Sequence, residues 1–359
     1  MTNERKCIKK ILKTFMLETY EDDIECSTDK LYKLSSSLNV STMVGYVLNK
    51  KKIKDTYFEK TLYKSIIKYE RLLKTKKEID TLFKHKINYL YIKGITLAKY
   101  YKEPFLRYSN DIDVVVKDNI DLASNLLKKA GYRLIVNNVQ ELCFIKKGIL
   151  IDLHRTFSVE NDNLERIFNQ VDYTDHEFDI NYKYLYLLVH AMKHIKFGQF
   201  EFRFFVDLFY LRQLIDRDLV NTLLKESNLI LFDDKVNYYL DALLNKKEYD
   251  DLCKKIEEFI FQYGEDSGSK NRVLINSVNK SKFSYLLSRI FIPYNKMCYE
   301  YPILDRHKFL LPIYYIVRMF KPLKSKRVKY TYQEVTNSLK KSKIDVNVMK
   351  EFIDSMGIY

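Results

Sequence analysis

Two short runs constrain this chain more than anything else in it: Asp111-Ile112-Asp113-Val114-Val115-Val116 and Ile149-Leu150-Ile151-Asp152-Leu153-His154. Each is apolar enough for a buried strand, and each carries carboxylates. Side chains alternate between the faces of a strand, so Asp111 and Asp113 fall on one face. Asp152 can lie beside them if the second run pairs with the first. Like charges brought together repel and raise one another's pKa, so stability alone does not favour three acids at the rim of a small sheet. A divalent cation resolves the conflict. Magnesium takes hard oxygen ligands and keeps some of its waters, which suits this trio.

The segments around these runs predict a small mixed sheet. Residues 87–92 read as a first strand, followed by Gly94 and a short helix over Ile95–Tyr101. The second strand is 111–116. Asp118 reads as the N-cap of the next helix, with Asp121 in its first turn and Gly131 as its stop. Tyr132–Ile135 begins another extended run. Segments 141–146 and 149–154 then read as a hairpin with Lys147-Gly148 at the turn. Strand–helix repeats are too few for a doubly wound sheet. The expected fold is α+β, a small mixed sheet with helices, flanked by larger helical regions.

Those flanks follow from helical spacing of apolar residues. Ile8, Ile11, Leu12, Phe15 and Met16 form one stripe. Leu31, Leu34 and Leu38 form another, with Gly45 at a break, and Tyr57, Leu62, Ile66, Tyr69 and Leu72 continue the pattern. The first 84 residues therefore form either a separate helical lobe or, preferably, a brace on the catalytic unit. The expected divisions are a helical region at 1–84, a catalytic core at 85–180, a helical domain at 181–300 and a helical, basic tail at 301–359. A polar break falls at 264–269.

The formal net charge is +15 over 359 residues, which favours anionic partners without choosing among nucleotide, nucleic acid and acidic membrane. Solvated lysine-rich helix faces explain it equally well. The basic tail positions Lys321, Lys324, Lys326, Arg327 and Lys329 raise peripheral contact with an anionic membrane through 321–329, against a plain solvated end. The five cysteines are scattered and show no CxxC pair, which argues against a disulfide framework or a thiolate zinc site. The N-terminus reads as amphipathic rather than as a signal peptide, and no apolar run reaches bilayer length. A reducing cytoplasm is the expected location.

Further candidates surround the carboxylates. Lys93 and Gly94 suit phosphate contact, although tight packing explains Gly94 as well. Thr96 either bonds phosphate or caps the following helix. Arg107 either offers its fork to a β- or γ-phosphate or pairs with Asp111 or Asp113. His154 shares the face of Asp152 and either orients it, touches substrate or is an ordinary hydrogen-bonded histidine. His190 and His194, four apart on a helix, either line the cleft, pack, or join Asp207 or another carboxylate in a zinc site. Arg203 and Asp207 are spaced for an ion pair, with substrate contact as the alternative.

The order and spacing of Ile92-Lys93-Gly94, Leu106-Arg107, Asp111-Ile112-Asp113, Gly131-Tyr132, Ile151-Asp152-Leu153-His154, His190-Ala191-Met192-Lys193-His194 and Phe205-Val206-Asp207-Leu208 resemble the uncharacterised nucleotidyltransferase family of the polymerase-beta-like superfamily. The resemblance runs over roughly residues 85 to 215. It implies a nucleotidyltransferase fold, two Mg²⁺ ions and an NTP donor, with Asp111, Asp113 and Asp152 as the metal carboxylates. Gly94 stands where the superfamily's Gly-Ser or Gly-Gly pair contacts phosphate, but Ile95 follows it, so a serine contact at that point is missing.

The function expected is Mg²⁺-dependent transfer of a nucleoside monophosphate, AMP favoured and ATP as donor, to a hydroxyl on a small molecule, a glycan precursor or a protein. A non-catalytic nucleotide-binding or scaffold protein is one alternative. RNA modification is another, and no RNA-binding module or regular basic–aromatic repeat is visible to favour it.

Overall fold

The computed structural model describes residues 2–20, 24–138, 141–157, 162–196, 199–263, 291–292, 294, 297–298, 301, 303–320 and 343–358. It divides into two compact units, one of residues 1–193 with 200–266 and one of 194–199 with 267–359.

The first unit is built on a five-stranded mixed sheet of order β1-β2-β5-β4-β3. The strands are β1 Tyr89–Tyr91, β2 Asp111–Val116, β3 Arg133–Asn137, β4 Glu141–Lys146 and β5 Ile149–His154. β2 and β5 run parallel, and the other neighbours are antiparallel. The β4–β5 turn is the tight one read from the sequence. Lys147 and Gly148 both have positive φ, 49° and 75°, and join the paired residues Lys146 and Ile149. Two central residues at positive φ match the right-handed twist of the strands they connect.

One face of the sheet is sealed. Ile112 and Val114 of β2, with Ile149, Ile151 and Leu153 of β5, join one core with helix α4 (Thr56–Phe83) and helix α6 (Ile120–Lys129). Leu72, Ile79 and Phe83 supply the α4 side, and Ala123 and Leu127 the α6 side. The longest N-terminal helix is therefore part of the sheet's own core. Three shorter helices precede it, α1 (Asn3–Leu17), α2 (Thr28–Ser37) and α3 (Ser41–Lys50).

Two local expectations change. Gly45 is no break, because it lies buried within α3, where a β-carbon would sit 3.2 Å from Phe58. Its bareness lets the first turn of α4 approach closely. The N-cap of α6 is Asn119 rather than Asp118. Asn119 adopts the left-handed conformation, which asparagine tolerates, and accepts from the Leu122 amide.

After a short helix α7 (Asp162–Asn169), helix α8 (Ile180–Lys196) carries a buried lysine. Lys183 sits 3.2 Å from Glu177, and burial pushes its pKa down to about 8. Between that value and the ordinary lysine pKa the unfolded chain binds more protons, so this group makes stability rise with pH. Lys183→Met should therefore exceed wild type in stability near neutrality, and urea unfolding should show the gap narrowing as pH is raised past about 8.

Helices α9 (Phe202–Leu211), α10 (Arg217–Glu226), α11 (Ile230–Leu243) and α12 (Asp251–Tyr263) complete the first unit. In the second unit the described helices are Ile303–Arg306, Leu311–Phe320 and Lys343–Ser355, and Met297, Cys298 and Leu304 form a small core there. The polar break at 264–269 and the basic stretch 321–329 lie outside the described residues. Among the described residues, no helix is long and apolar enough to cross a membrane.

Candidate active site

The other face of the sheet carries the acids. β2 and β5 pair Asp113 with Asp152 and Asp111 with Leu150. Parallel neighbours in register point the same way, so the two strands bring the three carboxylates together. Asp111, Asp113 and Asp152 each offer an oxygen, and these oxygens lie within 4.8 Å of one another.

The environments of the three acids differ. Asp113 is almost fully buried. Burial alone would raise its pKa, but Lys93 Nζ at 3.1 Å and His154 Nε2 at 2.9 Å hold it down to about 2. Among the described residues no such cation pairs with Asp152. Burial, and then the charges of Asp113 and Asp111, push it up to about 6, against a lowering contact from Cys143. Asp111 is steadied by Ser109, whose hydroxyl donates to its Oδ1 at 2.9 Å.

Asp113 Oδ2 and Asp152 Oδ1 are buried and have no hydrogen-bond partner among the described residues. Buried carboxylate oxygens left unpartnered are costly. Hard anionic oxygens converging at this spacing fit a divalent cation such as Mg²⁺, so the donor set suits the ion that the sequence implied.

The approach to the acids is shaped by the loop after β1. Gly94 has φ +63°, and a β-carbon there would lie 3.1 Å from Ser109 Oγ. Gly94→Ala should thus cost stability, roughly 1–3 kcal/mol for a non-glycine residue forced into this conformation. It should also displace Ser109 from Asp111, and thermal melts with Mg²⁺ titration would register both effects. Thr96 sits in the short helix α5 (Ile95–Ala98). It does not cap that helix, and its buried hydroxyl has no partner.

Arg107 pairs with neither Asp111 nor Asp113. Its Nε and Nη2 grip both oxygens of Asp207 at 2.7 and 2.8 Å, and its Nη1 donates to the Gly94 carbonyl at 3.0 Å. Tyr101 donates to the same Asp207 at 2.7 Å. The expected Arg203–Asp207 pair is replaced accordingly. Arg203 binds Glu201 at 2.9 Å and the Tyr108 carbonyl at 2.9 Å. Both arginines tie the loop before β2 to α9, which fixes where Gly94 and Asp111 stand. Side chains 100 residues apart in the chain meet here, and helical spacing within α9 carried no sign of it.

Among the described residues, Asp207 does not join His190 and His194 in a metal cluster. Among the described residues, the only group of three or more His, Cys, Asp or Glu side chains close enough to share an ion is the Asp111, Asp113 and Asp152 trio. His190 stacks with Tyr186 at 6.3 Å between ring centres. His194 falls in the second unit. His154 bonds Asp113 rather than Asp152, and its Nδ1 lies 3.6 Å from Glu141.

Glu141, Cys143 and Ser109 were missed as site residues. The hairpin could have revealed the first two. A two-residue turn at 147–148 pairs 146 with 149, which forces Cys143 opposite Asp152 and Glu141 opposite His154, as found. Ser109 lies two residues before Asp111, a local spacing at which serine commonly hydrogen-bonds.

A mixed sheet that presents three carboxylates from two parallel strands on one face defines a nucleotidyltransferase-type active site. The chain belongs to the family described as uncharacterised nucleotidyltransferase, within the polymerase-beta-like superfamily, whose model matches residues 25–244. The match starts just before α2 and runs to the end of α11, beyond the stretch that carried the resemblance in sequence. No curated protein and no solved structure matches the chain significantly.

Proposed function

We propose that the protein moves a nucleoside monophosphate from an NTP, with ATP as the favoured donor, to a hydroxyl acceptor. The observation that carries this is the pair of buried, unpartnered oxygens on Asp113 and Asp152 beside Asp111. Asp111 and Asp113 would hold the ion that travels with the triphosphate, and Asp152 would help hold a second. Such ions supply Lewis-acid neutralisation of charge growing on the phosphate oxygens.

The protein's own groups do the rest. Lys93 keeps Asp113 ionised and stands at the edge of the trio, 26% exposed, where it can reach a phosphate oxygen. The Thr96 hydroxyl, buried and unpartnered, supplies the contact that the residue after Gly94 cannot. Where no second ion binds, Asp152 orients the acceptor hydroxyl and takes its proton. Arg107 positions rather than binds, since three of its nitrogens are engaged within the protein. A reducing, cytoplasmic setting agrees with five free thiols.

Calorimetry with Mg²⁺ and non-hydrolysable analogues of the four NTPs tests the donor assignment. Tightest binding of the adenosine analogue, lost without Mg²⁺, is the expected result. Absence of any Mg²⁺-dependent nucleotide binding by folded protein would sink the proposal. Mg²⁺ affinity should also weaken as pH falls through about 6, because a proton then competes for Asp152. A pH series of the same titration checks this.

A further inference from the structure

A cavity of about 560 Å³ opens between α4 and the β4–β5 hairpin, lined among others by Arg71, Lys74, Glu78, Tyr132, Lys146 and Lys147. Four cations there face one carboxylate. That carboxylate is already engaged, since Glu78 accepts from Lys146 and, at 2.7 Å, from Tyr132. Lys146 also donates to the Ala130 carbonyl at 2.9 Å. Arg71, Lys74 and Lys147 are exposed, and none of them pairs with a carboxylate among the described residues.

The cationic surface continues towards the acids. Lys68 lies one turn before Arg71 on the same side of α4 and donates to the Gly148 carbonyl at 3.0 Å. Its charge also interacts with Asp111. From Lys68 to Lys74 the helix advances about 9 Å. Two residues beyond Gly148, Leu150 is the cross-strand neighbour of Asp111. Leu150 and its β4 partner Ile145 are half-buried on the carboxylate face. The cavity lies on the α4 side of the sheet and the acids on the other, and Lys68 at the β4–β5 turn, with the half-buried Leu150 and Ile145 beyond that turn, joins the two.

We propose that this cavity and the Lys68 ridge seat the phosphodiester backbone of a nucleic-acid acceptor strand, whose terminal hydroxyl reaches Asp152. Several cations spread along a helix match a row of phosphates better than one, and Leu150 and Ile145 suit sugar and base. The hydroxyl part of this inference rests on the nucleotidyl-transfer reading. In that reaction the acceptor oxygen bonds the α-phosphorus of the NTP. The bond from that phosphorus to the oxygen bridging the β-phosphate breaks, pyrophosphate leaves, and the hydroxyl proton passes to Asp152.

The test is fluorescence anisotropy with a labelled single-stranded RNA of about twelve nucleotides and a free 3′ hydroxyl, between about 50 and about 200 mM salt. Affinity should fall steeply with salt. Arg71→Glu and Lys74→Glu should each weaken binding about tenfold and lower the salt slope by about one. Lys255→Glu, the same change of charge sign on exposed α12, should stay within about twofold, which separates a site from net charge. Failure to bind RNA at low salt overturns the proposal. So does equal weakening by Lys255→Glu, or displacement of RNA by inorganic phosphate at matched phosphate concentration, which would mark a single-phosphate pocket. Mg²⁺–nucleotide binding is measured on the same samples. Its loss with RNA binding intact would sink the transfer reading while leaving the anion surface in place.

Discussion

Asp113→Asn is expected to lower nucleotidyl transfer by at least about a thousandfold, a loss in the range set by removing a group that stabilises transition-state charge. Asparagine keeps the shape of the side chain but removes the charge that Lys93 and His154 now hold at 3.1 and 2.9 Å. Three consequences follow from the same substitution. The metal trio loses its central, most buried member. Lys93 loses its anchor beside the trio. His154 loses the acceptor that fixes its ring. Lys93 keeps 26% of its side-chain surface exposed, so solvent compensates part of its lost partner and the fold should persist. Pyrophosphate release in the presence of labelled NTP measures the activity, and circular dichroism measures the fold. Full turnover by a folded Asp113→Asn sample would remove Asp113 from the mechanism.

Asp207→Ala should destabilise the protein by about 3–5 kcal/mol, the cost of leaving one member of a buried ion pair uncompensated. Arg107 and Asp207 are 8% and 3% exposed, so water screens neither. Removing Asp207 strands two guanidinium nitrogens and the Tyr101 hydroxyl together. The double variant Arg107→Met with Asp207→Leu should recover most of that stability, because an apolar pair of similar volume avoids desolvation altogether. It should not recover activity, since the Gly94 carbonyl loses the Nη1 donor that holds the loop beside Asp111. Urea unfolding distinguishes these cases. A loss below about 1 kcal/mol for Asp207→Ala would mean that the pair is far better hydrated than its burial indicates.

Much of the sheet was legible because period-two alternation and one tight turn specify faces and register locally. β2, β4 and β5 match their expected limits, and the burial of β5 alternates residue by residue. The first strand is shorter than 87–92, since only Tyr89–Tyr91 pair with β2. The misplaced N-cap at Asp118 has a local cause as well. Aspartate and asparagine both cap helices, and the left-handed backbone at Asn119 decided between adjacent candidates.

The chain's own order of residues determined which acids share a face, because alternation is a property of the strand itself. It also settled the family, because spaced motifs survive without any knowledge of contacts. Only the tertiary structure decided who partners whom. Arg107 found Asp207 across 100 residues, Lys93 and His154 converged on Asp113 from separate elements, and α4 brought its cations to the β4–β5 turn. Such pairings depend on how elements pack, and a charged side chain bears no periodic mark of the partner that packing will bring to it.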